Sequence, residues 1–145
     1  MADSEGFEKP KKKTDPVRSG EAMAKLILDD GRYPLDAFEF LHQGLERAAQ
    51  EVHGDERREP GQRHVSGAQL CQSLRELALQ RWGSLARTVL ARWGIHGTLD
   101  FGQMVYLLVN NDFMQKTEQD SVEDFRDVYD FDKAFGVATC FTLKE

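Results

Sequence analysis

The sequence predicts an α+β fold that is mainly α, a compact helical domain with a small β element near the C-terminus. Apolar residues recur at steps of three and four along several segments, as they do on the buried face of an amphipathic helix. Capping residues and glycines separate these segments. From residue 65 onward, three helix patterns lead into an acidic segment, and this order of elements predicts a winged-helix-like unit at residues 65–131.

The length predicts one domain, because 145 residues with 40% hydrophobic content can bury a core without metals or disulfides. Residues 1–18 carry charged residues and two prolines with almost nothing apolar, so we expect a disordered basic tail. The single helical domain is expected to span residues 19–145.

Two helices are predicted in the first half of the chain. The first follows Ser19, shows Met23, Ala24, Ile27 and Leu28 at helical spacing, and ends at Gly31. The second follows Pro34, which suits a first helical turn, and ends at Gly54. Its predicted core face consists of Phe38, Leu41, Leu45, Ala48 and Val52. Residues 54–63 contain no apolar residue and predict an exposed loop.

Three shorter helices are predicted next. Ser66 and Gln69 have capping-box spacing, and the helix they open runs to Trp82 and Gly83. The second of these helices is expected to use Ser84 as its cap and to end at Gly94, with Leu85, Val89 and Leu90 on its buried side. The third runs from Thr98 to Asn111, with Asp100 in its first turn and Phe101, Met104, Val105, Leu108 and Val109 turned inward.

Beyond residue 111 the helical period is lost. Aromatic residues are spread among acids, which fits a loose hairpin or short helical turns better than one long element. We expect the phenylalanines to pack inward and the acids to face water. Residues 136–143, GVATCFTL, have strand propensity and predict an edge strand or a docked tail.

Charge is unevenly distributed along a chain whose formal net charge is -6. Residues 112–132 hold eight acids against two bases. A basic cluster stands near the N-terminus, formed by Lys9, Lys11, Lys12 and Lys13. Runs of this kind are usually solvated, and some grip nucleic acid or a partner of opposite charge.

We expect a cytoplasmic protein. Cys71 falls beside core leucines and far from Cys140, which favours free thiols and a reducing compartment. No run approaches the roughly 18 apolar residues of a membrane span. The first 20 residues also lack the apolar stretch of a secretory signal.

The chain contains several unusual blocks: DGRYPLDAFEFLHQGL, RHVSGAQL, LRELALQRWGSLARTVLARWGI, TLDFGQMVYLLV and KTEQDSVEDFRDVYDFDKAF. On these blocks the chain resembles a conserved family of small, uncharacterised bacterial proteins, the Minf family, over roughly residues 22–135. The resemblance implies no activity, cofactor or partner, because the family has none assigned.

No catalytic, cofactor or metal site is predicted. Glu39 and His42 have the i, i+3 spacing of a di-iron helix, but no second pair of this kind lies on a convincing helix. The histidines and two cysteines lack zinc spacing, and the acidic segment lacks the turn glycine of an EF-hand. An enzyme of unknown reaction is therefore the third hypothesis.

Nucleic-acid binding is the second hypothesis. A recognition helix at residues 98–111 would carry no Lys or Arg, and an acidic wing would follow it, so duplex DNA is disfavoured there. RNA or DNA could instead meet the basic tail, Lys9 to Lys13, together with Arg81, Arg87 and Arg92.

The favoured hypothesis is a noncatalytic protein-binding or regulatory module of the bacterial cytoplasm. Its separated charges and the absence of a reactive cluster motivate this choice. Trp82 and Trp93 are expected to pack at helix ends, or else to anchor an interface. The predicted partner surface consists of Arg81, Arg87, Arg92, Asp120, Glu123, Asp124, Asp127 and Asp130.

Overall fold

The computed structural model describes residues 16–54, 65–117 and 120–136. Its α-helices are α1 (Pro16–Asp30), α2 (Leu35–His53), α3 (Gly67–Trp82), α4 (Ala86–Arg92), α5 (Thr98–Asn110) and α6 (Phe131–Ala134). Two 3₁₀ turns, Gly83–Leu85 and Val122–Phe125, complete the regular structure of these residues. The prediction of a mainly helical protein is therefore confirmed for the part of the chain that the structure describes.

The ends of the first two helices follow from proline and glycine. Helix α1 begins at Pro16, before the predicted start at Ser19, because proline is favoured in a first turn where no N–H partner is needed. The predicted tail therefore overlaps the helix, and residues 1–15 lie outside the described residues. Gly31 and Gly54 end α1 and α2 with φ of 78° and 70°, a backbone conformation that favours glycine.

Helices α2 and α3 pack closely against each other at Gly44. A β-carbon at residue 44 would lie 2.2 Å from Leu74 Cδ2, so any larger residue would displace the buried Leu74 side chain. The Ser73 hydroxyl also donates to the Gly44 carbonyl oxygen at 3.0 Å. At the start of α3, the predicted capping box is confirmed: the Gln69 N–H donates to Ser66 Oγ at 3.1 Å, and the Ser66 N–H donates to Gln69 Oε1 at 2.9 Å.

Helix α4 differs from its prediction in register. The 3₁₀ turn Gly83–Leu85 runs directly into α4, so Ala86 and Leu90 become the buried side, while Leu85 is 62% exposed. No side-chain cap from Ser84 forms, because the chain never leaves helical geometry between the turn and α4. The prediction that Leu85 and Ser84 begin this helix as core residue and cap was therefore wrong.

Helix α5 is buried or half-buried along most of its length. Its inward residues Phe101, Met104, Val105 and Leu108 are buried, and Asn110 is the one exposed residue of the helix. Asp100 closes the first turn by accepting hydrogen bonds from the backbone N–H groups of His96 and Gly97. Its other carboxylate oxygen accepts a hydrogen bond of 2.6 Å from the Tyr33 hydroxyl, which ties the α1–α2 junction to α5.

The described residues of the acidic segment form no wing. Over residues 120–136 it makes a 3₁₀ turn and the short α6, and no β-strand occurs among the described residues of the predicted unit 65–131. Helical turns form because Ser121 and Asp130 cap them with their side chains. The winged-helix prediction was thus wrong in its wing, and the predicted strand at 136–143 lies, apart from Gly136, outside the described residues.

One core joins the helices, with buried residues contributed by each of α1 to α6. Trp82 and Trp93 pack at the ends of α3 and α4, with ring centroids 5.5 Å apart, and both rings contact Phe40. This confirms the expected packing at helix ends. Cys71 is buried as a free thiol, and burial raises its pKa to about 12. Among the described helices, none is long and apolar enough to cross a membrane.

Candidate functional site

The predicted arginine-bearing surface is largely engaged within the chain. Arg87 of α4 forms an ion pair with Asp132, in the first turn of α6. Arg81 donates a hydrogen bond to the side-chain oxygen of Gln43 in α2. Arg92 is exposed at the end of α4. The three side chains therefore do not form one free basic face, since two of them bind other parts of the fold.

The predicted acidic surface is used mainly as turn caps. Asp130 accepts hydrogen bonds from the N–H groups of Asp132 at 2.7 Å and of Lys133 at 3.3 Å. Asp124 accepts one from the Ser121 N–H at 3.0 Å, and Asp120 accepts one from the Thr117 N–H at 2.8 Å. Carboxylates at these positions satisfy N–H groups that the turns leave unpaired.

The remaining two predicted acids differ from each other. Glu123 forms two hydrogen bonds with the guanidinium of Arg126, at 2.6 and 3.1 Å, and this partner lowers the pKa of the Glu123 carboxyl. Asp127 is exposed and has a φ of 51°. Of the acids that suggested a docking strip, Asp120, Asp124 and Asp130 therefore cap turns, Glu123 pairs with Arg126, and Asp127 is exposed.

The aromatic residues of the same segment turn inward, as predicted. Phe125, Phe131 and Phe135 are buried. Phe125 fills the space between Gly67 of α3 and Gly102 of α5. The Tyr129 hydroxyl donates to the Cys71 carbonyl oxygen at 2.7 Å. The segment is thus fastened to α3 and α5 through its aromatic residues.

The described residues form an apolar groove. It has a volume of about 380 Å³ and lies between α1, α2 and the end of α5. We call it the α1–α2 groove. Its lining is Gly20, Met23, Ala24, Ile27, Leu35, Phe38, Glu39, Leu41, His42, Leu45, Leu70, Leu108, Phe113 and Met114. A volume in this range is typical of binding clefts, which span about 300 to 1,000 Å³.

The mouth of the groove carries exposed apolar side chains. Leu35, which lines the groove, is 40% exposed. Leu28 is 64% exposed and lies one helical turn after Ala24, a lining residue of the same helix. Apolar surface therefore continues from the interior of the groove to its edge on α1.

Glu39 and His42 are the polar side chains of the lining, and both are exposed on α2. His42 Nε2 lies 3.3 Å from Glu46 Oε2, one turn further along the helix. In the described residues, no group of three or more His, Cys, Asp or Glu side chains is placed to hold a metal ion. Apart from Glu39 and His42 the side chains of the lining are apolar, so the groove can bury an apolar segment beside Glu39.

The groove is not evident from the sequence pattern. Periodicity identified Phe38, Leu41 and Leu45 as a core face, and they are buried, but periodicity cannot tell a covered face from one that borders a cleft. The available signal was Leu35, an apolar residue one turn before Glu39 on the face of α2 that also carries polar residues.

Comparisons with known proteins give no relative. No protein-family model matches the chain, and neither a curated protein nor a solved structure matches it. The resemblance to the Minf family therefore stays a prediction.

Proposed function

We propose that the chain is a noncatalytic protein-binding module of the bacterial cytoplasm, and that the α1–α2 groove receives an apolar segment of its partner. The observation that carries the proposal is the groove itself, an apolar cleft of about 380 Å³ with Leu35 exposed at its mouth. Burying apolar surface is the main driving force of protein association. Apolar patches bordered by polar residues commonly mark interaction sites.

Two features favour the groove over the charged surface expected from the sequence. Arg87 already pairs with Asp132, and Asp124 and Asp130 cap turns, so recruiting them would first break contacts within the fold. The groove needs no such rearrangement. Its walls are helices α1 and α2, which suits the mode in which an amphipathic helix lays its apolar face into a cleft.

The nucleic-acid hypothesis has less support. A recognition helix must expose a face to the groove of the duplex. Helix α5 is buried or half-buried along its length up to Asn110. The basic residues left for this role are Arg92 and the cluster Lys9 to Lys13, which lies outside the described residues.

A photo-crosslinking experiment tests the proposed function. A photoreactive amino acid replaces Leu35 in the full chain, and the same amino acid replaces Thr88 as a control, since Thr88 is exposed on α4 and does not line the groove. After irradiation in a bacterial lysate, mass spectrometry identifies the cross-linked peptide. A synthetic copy of that peptide is then added to the purified chain.

The expected result is a protein adduct from position 35 and none from position 88, with the synthetic copy binding the purified chain. Substitution Ala24→Trp, which fills the groove, should weaken that binding. Adducts only within the chain or to a second copy would overturn the proposal, as would an adduct whose synthetic copy fails to bind.

A further inference from the structure

We infer that the partner segment is a basic amphipathic helix, with Lys or Arg beside its apolar stripe. This inference rests on the proposed function, because it assigns a chemistry to the occupant of the same groove. It starts from the charges on the exposed face of α2, where Asp36, Glu39 and Glu46 follow one another along the helix. Residues three and four apart share a helix face, so Asp36 and Glu39 are neighbours.

Three bases of α1, α2 and their junction are already paired with acids. Lys25, on the outer side of α1, lies 3.0 Å from Asp29 Oδ2. Arg32, in the α1–α2 junction, lies 3.0 Å from Asp30 Oδ2. His42, the one lining residue that can carry positive charge, faces Glu46. The described edge of the groove therefore presents net negative charge, with Glu39 directly in the lining.

The length of the groove suits a helix. Along α2 the lining runs from Leu35 to Leu45, which is about 15 Å at a rise of about 1.5 Å per residue. Apolar anchors at i, i+3 or i+4, and i+7 of a partner helix span about 10 Å, so they fit within this length. A basic residue flanking such anchors would reach Glu39 at the edge.

The net charge of the chain also favours a basic partner. The chain carries a formal charge of -6, which attracts a cationic segment and repels an anionic one at long range. Complementary charge at the rim of an interface contributes mainly to partner choice and to the rate of association. Apolar burial in the groove supplies affinity, and Glu39 with its acidic neighbours supplies selectivity.

Two synthetic helical peptides test the inference on the full chain. They share one leucine pattern at i, i+4 and i+7 and differ only in carrying lysines or glutamates at the flanking positions. Binding is followed by fluorescence anisotropy of the labelled peptides at two salt concentrations. It is also followed by the NMR signals of the methionine methyl groups, because Met23 and Met114 line the groove while Met104 is buried and does not.

The expected result is binding of the lysine peptide about tenfold or more tighter than the glutamate peptide, with a preference that shrinks at high salt. The methyl signals of Met23 and Met114 should shift while that of Met104 stays in place. Substitution Glu39→Gln should weaken the binding of the lysine peptide by up to about fivefold, as expected for the loss of one exposed charge. Asp127→Asn, which removes an exposed acid outside the groove lining, is the matched control and should change nothing.

Equal affinity for both peptides, with shifts at Met23 and Met114, would overturn the inference and leave the groove as a docking site. Shifts confined to methionines outside the lining would overturn it as well. Failure of both peptides to bind, combined with a position-35 adduct in the lysate, would show that the groove takes a partner of another chemistry. Failure of both peptides and of the adduct would remove the proposed function itself.

Discussion

Phe125 packs against Gly102 so closely that a β-carbon at residue 102 would lie 2.8 Å from both Cβ and Cγ of Phe125. The ring is fully buried, and its edge also meets Gly67, where a β-carbon would lie 3.1 Å from Phe125 Cε1. Two glycines on different helices thus make room for one aromatic side chain of the acidic segment.

We predict that Gly102→Ala lowers the free energy of unfolding by about 1–3 kcal/mol, because the methyl group overpacks a filled site and the Phe125 backbone is held in place. Urea denaturation followed by far-ultraviolet circular dichroism measures the change. Gly20→Ala is the control, since nothing lies within 4 Å of its β-carbon and alanine favours the helix by up to about 1 kcal/mol. A Gly102→Ala protein as stable as the parent would contradict the packing described.

Thr98 joins the start of α5 to the segment after the 3₁₀ turn. Its buried hydroxyl donates to the Phe125 carbonyl oxygen at 2.6 Å and accepts from the Val128 N–H at 3.0 Å. We predict that Thr98→Val costs about 1–3 kcal/mol for each group left unpaired. Thr98→Ser keeps the hydroxyl and should cost less.

Amide hydrogen exchange distinguishes the loss of the Thr98 hydrogen bonds from a simple loss of packing. Exchange of the Val128 amide should accelerate in Thr98→Val and stay slow in Thr98→Ser, because only the valine removes its acceptor. Equal exchange in the two variants would show that the hydroxyl does not hold this segment.

Two neighbouring acids of the predicted docking surface should behave differently. Asp130 caps α6, so Asp130→Ala is expected to lower stability by about 0.5–2 kcal/mol. Asp127 is exposed at a φ of 51°, a conformation that asparagine also tolerates, so Asp127→Asn should be neutral. Thermal unfolding of both variants checks this, and an Asp127→Asn protein less stable than Asp130→Ala would refute the assignment of the cap.

Stability should fall at alkaline pH. Burial raises the pKa of Tyr33, Tyr106 and Tyr129. The pKa of Tyr106 rises to about 12. At Tyr33, the hydrogen bond to Asp100 raises the pKa further. Burial likewise raises the pKa of Cys71 to about 12. In the unfolded chain these groups have their ordinary pKa values, 9.0 for cysteine and 10.0 for tyrosine, and lose their protons at that pH. The folded chain keeps the same protons at that pH, so rising pH favours the unfolded state.

The contribution of Cys71 and the three tyrosines to the free energy of unfolding is therefore complete below pH 9. It is lost progressively as pH rises through 9 and 10 towards the pKa values of the folded state. Urea midpoints measured from pH 7 to pH 11 should show this decline, and Tyr129→Phe should make it shallower. A tyrosinate absorbance band appearing in the folded protein at pH 10 would contradict the raised pKa values.

Local signals explain which parts of the fold the sequence predicted. The capping box of Ser66 and Gln69 and the stops at Gly31 and Gly54 depend on neighbours within a few residues, and they formed as expected. The role of Thr98 depends on Phe125, which is distant in sequence. Its place at the start of α5 was predicted, but its hydrogen-bond partners could not be inferred from local spacing.

The same distinction applies to the candidate sites. The charges of Arg87 and Asp132 were evident in the sequence, but their mutual pairing requires α4 and α6 to be brought together by the fold. The α1–α2 groove is an even stronger case. Leu35 and Met114 line it from parts of the chain that are far apart in sequence. The periodicity of one helix therefore cannot predict the cleft between them.

The two tryptophans of the chain stand in edge-to-face contact, with interplanar angle 80°, and neither lines the groove. Two indole chromophores this close couple electronically, so they should give a pronounced near-ultraviolet dichroism signal that vanishes when α3 and α4 separate. Their emission reports on the junction of α3 and α4 and on Phe40 of α2, which both rings contact. Neither ring lies in the groove lining, so a screen for occupants should follow a label placed in that lining and not intrinsic fluorescence alone.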